Sequence, residues 1–140
     1  MLCLTQIEQQ LRVTAPQLSA GEGWDITIPG LHIKNGCNLR EHWAARAKRV
    51  KRERFLVGQA LWARELLMRR QRPGLPCVVT ITRVAPRMLD SDNAVAGCKG
   101  VRDEIAAWLG INDNDPRVTW QYAQEKSKLY ACNIQIEEAK

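Results

Sequence analysis

A single α+β domain is the fold class that the sequence predicts, and three observations carry it. Four short stretches alternate apolar and polar residues with the period of a half-buried strand. One run of about thirty residues repeats its apolar positions with a helical period, and a second, shorter run does the same. The two kinds interleave as strand, long helix, strand, helix, strand, strand, an order that implies a small mixed β-sheet with one long basic helix and a second helix packed on it. At 140 residues the chain is long enough to bury most of the apolar surface of one domain. Residues 24–140 form that domain and residues 1–23 are an N-terminal extension.

Each element has its own signal. In the extension, Leu4, Ile7 and Leu11 hint at a short helix, and "TAPQLSAGEG" reads as loop. "WDITIPG" alternates Trp24, Ile26 and Ile28 with polar neighbours and stops at Pro29-Gly30, which predicts the first strand. "LHIKNGCN" is a loop. The long helix runs from Arg40 to about Arg70, with Trp43, Ala47, Val50, Val57 and Leu61 on one face and Leu56, Ala60, Ala63 and Leu67 on an adjacent strip. Pro73, Gly74 and Pro76 end it. "CVVTITRVA", β-branched and alternating, is the second strand. Asn93 to Trp108 fits the second helix, closed by Gly110 as a C-cap. "RVTWQYAQEK" and "LYACNIQIEE" complete the sheet, joined at Ser127-Lys128 by a hairpin-like turn.

Composition narrows the function classes. No apolar run approaches the roughly 18 residues of a membrane span, because "FLVGQALWARELLM" is cut by Gln59, Arg64 and Glu65. "MLCLTQIEQQ" is too short and polar for a signal peptide, so a cytoplasmic location is expected, with no membrane partner. The five cysteines (Cys3, Cys37, Cys77, Cys98, Cys132) include no C-x-x-C pair, and only His32 and His42 are at hand as nitrogen ligands. Free, mostly buried thiols are therefore expected rather than a zinc site. The net charge is +6, but Arg40 to Arg72 holds eleven Lys or Arg against three Glu, a net +8, which leaves −2 for the rest. Such a stripe is either the footprint of a polyanion binder or a solvated helix face.

The acids are concentrated too. In "MLDSDNAVAGCKGVRDEIAAWLGINDNDPRV", Asp90 and Asp92 flank a serine, and Asp113 and Asp115 flank an asparagine. On an extended link, residues two apart point the same way, so Asp90 and Asp92 share a side. Lys99, seven residues after Asp92, is nearly two turns along a continuous helix and falls on the same face. A strand–helix–strand unit can return the chain so that Asp113 and Asp115, at the start of the third strand, approach the first pair. Converging carboxylates need a counter-charge. Hard oxygen ligands suit Mg2+ or Mn2+, whose chemistry beside a basic surface is phosphodiester hydrolysis. The plainer alternative is that "DSDN" caps a helix, "NDND" before Pro116 makes Asx-turns, and Lys99 with Asp103 is an i, i+4 surface pair. A calcium loop counted from Asp113 fails, since its sixth and twelfth places hold Val118 and Gln124.

At these residues the sequence resembles the RusA family of phage and prophage Holliday-junction resolvases. The matching pattern is D-x-D-N, a lysine on the following helix and an acidic turn after glycine: Asp90, Asp92, Asn93, Lys99, Gly110 and Asp115. "CNLREHWAARAKRVKRER" also resembles the Asn…His-Trp opening and basic helix of phage members, and the likeness covers roughly 24–136. Here the lysine lies two turns after the second aspartate, where many members place it one turn on. The resemblance implies a homodimer in a bacterial host that binds four-way DNA junctions in recombination and repair. It would nick them symmetrically with Mg2+, leaving 5′-phosphate ends. Asp90, Asp92 and Asp115 would hold metal, with Asp113 a further candidate ligand, and Lys99 would offset charge. Arg40, His42, Arg46, Lys48, Arg49, Lys51, Arg52 and Arg54 would contact DNA, while Trp43, on the apolar strip, is expected in the core. Two alternatives stay open: a nuclease for other branched DNA, and a basic DNA-binding module without catalysis.

Overall fold

The computed structural model describes residues 24–34, 41–69 and 71–139. Among them the elements run β1 (Trp24–Pro29), α1 (Trp43–Met68), β2 (Cys77–Ala85), α2 (Ser91–Gly97), α3 (Lys99–Leu109), β3 (Val118–Lys126) and β4 (Ala131–Glu138). The expected α+β class holds, with a mixed four-stranded sheet in the order β1-β4-β2-β3. β1 and β2 are antiparallel to β4, and β2 is parallel to β3.

Register explains the core. Ile26 pairs with Ile134, Ile134 with Ile81, and Ile81 with Tyr122, so one row of side chains crosses all four strands on one face. The neighbouring rows add Trp24, Ile28, Val79, Cys132 and Ile136, all buried. Val57 and Leu61 of α1 and Val101, Ile105 and Trp108 of α3 close over this face. Trp24 and Trp108 meet edge to face, with ring centroids 5.2 Å apart. The opposite face is polar and partly wet, as one-sided sheets allow; there Asn133 donates to Asp25 and Thr27 at 2.7 and 2.9 Å.

Three expectations are corrected. β3 and β4 are not a hairpin: β2 lies between them, and the Ser127 amide bonds Ala85 at the end of β2. β2 hydrogen-bonds along both edges, and its β-branched residues suit that central place. Parallel pairing sets Val118 beside Cys77, so the third strand starts at the end of the sheet opposite Ala85. Asp113 and Asp115 lie in the preceding turn rather than in the strand. Next, the second helix is broken at Cys98 into α2 and α3. The 31–34 segment crosses there, and a Cβ on Gly97 would lie 2.2 Å from the Lys34 carbonyl oxygen. Gly110 does close α3, with a left-handed φ of 77°.

α1 buries a different set of residues from the expected apolar faces. Val57 and Leu61 are buried, but Ala47 and Leu67 are exposed and Trp43 is 77% exposed. The buried positions between and beyond them are polar. Glu53 bonds Arg49, and Arg64 donates to the Asp25 carbonyl. A charge at an inward position is tolerated when it is paired, and pairing is what pattern reading cannot see. Cys77, Cys98 and Cys132 are buried free thiols, as expected; Cys3 and Cys37, with the hinted 1–23 helix, lie outside the described residues. Among the described residues no helix is long and apolar enough to cross a membrane.

Candidate functional site

β3 organises the acidic region. Its residues Trp120, Tyr122 and Gln124 point one way, spaced about 6.6 Å apart by the strand repeat. The Trp120 indole donates to the Asp113 carbonyl at 2.9 Å. The Tyr122 hydroxyl accepts from Arg102 at 3.0 Å. Gln124 clamps Leu89 through its amide, accepting from its N–H at 2.8 Å and donating to its carbonyl at 2.7 Å. The turn bearing Asp113, the first turn of α3 and the residue before Asp90 are thus strung along one strand.

Arg83 supports the same segment from below. It is 4% exposed at an inward position of β2. Its Nε donates to Ile33 at 2.8 Å and its Nη1 to the Arg87 carbonyl at 2.6 Å, while burial lowers its pKa. Arg83 and Gln124 escaped the sequence reading, although each leaves a signal: a polar residue at the inward phase of an alternating strand.

Lys99 opens α3 and donates to Asp103 and Asp113, both at 2.8 Å. These bonds raise its pKa and hold the Asp113 carboxyl below its ordinary value. Arg102 reinforces the turn by donating to the Asp113 carbonyl at 2.7 Å. The break at Cys98 removes the continuous two-turn helix that was to align Lys99 with Asp92. The i, i+4 pair with Asp103 is present.

Asp115 sits apart from Lys99. Its Oδ1 accepts from the Arg117 amide at 2.9 Å, an Asx-type turn, and its carboxylate is bridged by the Arg117 guanidinium at 3.1 and 2.8 Å. The side-chain bonds from Arg117 push its pKa down to about 2. Asp90 and Asp92 are exposed at the start of α2, and Asp90 as N-cap makes no side-chain capping bond. Oxygen donors of this kind suit Mg2+, but the expected triad is not drawn together: among the described residues no three His, Cys, Asp or Glu are grouped to hold an ion.

The basic helix divides into two sets. Arg49 is tied to Glu41 and Glu53, each at 3.0 Å, and Arg54 to Glu104 of α3 at 3.0 Å. Arg46, Lys48, Lys51 and Arg52 are exposed and make no ion pair among the described residues. His42 caps the helix, its Nδ1 accepting from the Ala44 amide at 3.2 Å. Arg40 lies outside the described residues. The chain matches no protein-family model and no curated protein.

Proposed function

We propose that this chain is a metal-dependent endonuclease of the RusA kind that nicks branched DNA, four-way junctions foremost, as a homodimer. The observation that carries this reading is the contact of Lys99 with Asp113 on the strand-bound face that also holds Leu89, the residue before Asp90. Beside it stands α1 with its surplus of positive charge, joined to α3 through Arg54 and Glu104.

In this reading the exposed cations Arg46, Lys48, Lys51 and Arg52 bind phosphates and position the DNA without reading bases. Asp90 and Asp92, exposed at the start of α2, would hold a divalent ion, Mg2+ or Mn2+, and Asp113, which Lys99 contacts, is preferred as a third ligand to Asp115, which Arg117 holds. Such an ion supplies an activated water and offsets charge on the phosphate when bound. Lys99, fixed by two carboxylates, presents a positive charge at the same face. Gln124 and Arg83 hold the 87–89 segment and so set where Asp90 stands.

A binding-only module is the second reading, favoured by the commitment of Asp115 to its turn and by the ungrouped acids. Asp92→Asn separates the two. A nuclease loses cleavage while junction binding stays or tightens, since a negative charge beside the phosphates has gone. A module that only binds shows no Mg2+-dependent cleavage in either protein.

A further inference from the structure

A groove of about 600 Å3 runs along the N-terminal half of α1 against α3, lined by Trp43, Arg46, Ala47, Val50, Lys51, Arg54 and Glu104. Its size is that of a small-molecule site. The α1 members recur at helical spacing, so they form one face. Trp43, which begins that face, is 77% exposed, an orientation that burial does not explain. The His42 ring stands beside it, centroids 5.5 Å apart and tilted by 33°, and is itself fixed by its bond to the Ala44 amide. The floor is aliphatic, Ala47 and Val50. Arg46 and Lys51, about 4.5 and 12 Å along the helix axis from Trp43, bring positive charges that no carboxylate among the described residues bridges. At the far end Glu104 is held by Arg54, so the two charges there offset one another.

We infer that this groove is a stacking subsite for an unpaired nucleotide, its base on the Trp43 indole and its phosphates on Arg46 and Lys51. A largely exposed aromatic residue next to cations that make no ion pair among the described residues matches a ligand that has both a π-face and negative charge. A paired base inside a duplex offers no free face, so the occupant is a single-stranded nucleotide or one released where a branch opens. This rests on the proposal that α1 binds DNA, and it adds a preference for unpaired segments that phosphate contacts alone cannot give.

The test measures binding in EDTA, apart from any cleavage, by fluorescence anisotropy. The probes are labelled oligo-dT and a blunt duplex, and the proteins are wild type, Trp43→Ala, Trp43→Phe and Arg46→Ala. The inference expects Trp43→Ala to weaken oligo-dT binding roughly five- to hundred-fold, with duplex binding within about two-fold. Trp43→Phe recovers most of the loss because phenylalanine also stacks, and Arg46→Ala weakens both probes. Unchanged oligo-dT binding in Trp43→Ala, or equal weakening on both probes, overturns the subsite while leaving DNA binding intact. Failure of wild type to bind oligo-dT while it binds a labelled four-way junction in the same buffer overturns the subsite alone, and failure to bind the junction as well overturns the DNA-binding reading with it. Matching far-ultraviolet circular dichroism of the variants ties each loss to the missing ring or charge.

Discussion

Replacing Arg83 with Met tests how the fold positions the acidic segment. The guanidinium is almost fully buried and bonds two backbone carbonyls, Ile33 at 2.8 Å and Arg87 at 2.6 Å. Hydrogen bonds from a charged donor contribute about 1.5–3 kcal/mol each, so losing both costs roughly 3–6 kcal/mol and strands two acceptors. Removing a buried charge returns part of that, and the flexible thioether fills the vacated space. A net loss of roughly 2–4 kcal/mol results, a large share of the about 5–15 kcal/mol that a domain has. Urea unfolding followed by circular dichroism measures it, with an unchanged slope marking a stability effect alone. Because Arg87 precedes the Leu89 clamp, proteolysis between Pro86 and Asp90 also accelerates. A midpoint shift worth under about 0.5 kcal/mol, with no change in proteolysis, refutes the assigned role.

Four further outcomes follow from the geometry. Gly97→Ala forces a methyl group against the Lys34 carbonyl, and overpacking of that kind costs about 1–3 kcal/mol or more, read as a lowered melting temperature. Leu61→Ala, at a position with no exposure, costs about 2–5 kcal/mol by urea titration. Asp115 has its pKa lowered from 3.8 to about 2, so its stabilisation is full above the unfolded value and lost as pH falls through the folded one. Asp115→Asn therefore flattens the stability profile between those two values, measured by unfolding at a series of pH. Burial pushes the Cys98 thiol up to about 12 and raises Cys77 and Cys132 as well. At pH 8 native protein leaves these three unalkylated by iodoacetamide, and denatured protein does not, as peptide mass mapping shows.

The strands and the long helix were legible because their periodicities are local: "CVVTITRVA" coincides with β2 from Cys77 to Ala85. Strand order was not, because it depends on which strand both neighbours claim, and the short Ser127–Tyr130 link suits a crossing over the end of β2 as well as a hairpin. The break at Cys98 was hidden too, and so was the need for glycine beside it, which the Lys34 carbonyl more than sixty residues away imposes at position 97. Residue type and spacing are enough to mark Lys99 and Asp113 as candidates. That Asp113, and not Asp115, reaches Lys99 depends on Trp120 and Arg102 holding the turn, and no spacing rule encodes that. Trp43 fell on the apolar side of α1, but at that end of the helix the facing surface is a groove rather than the core.

The most direct measurement is cleavage of a four-way junction labelled in turn on each strand, beside a linear duplex of the same sequence, in Mg2+ and in EDTA. The account predicts paired nicks at symmetric positions in opposite strands of the junction, 5′-phosphate ends, an intact linear duplex and no products in EDTA. Tight junction binding with every strand left whole at all Mg2+ and Mn2+ concentrations would contradict it.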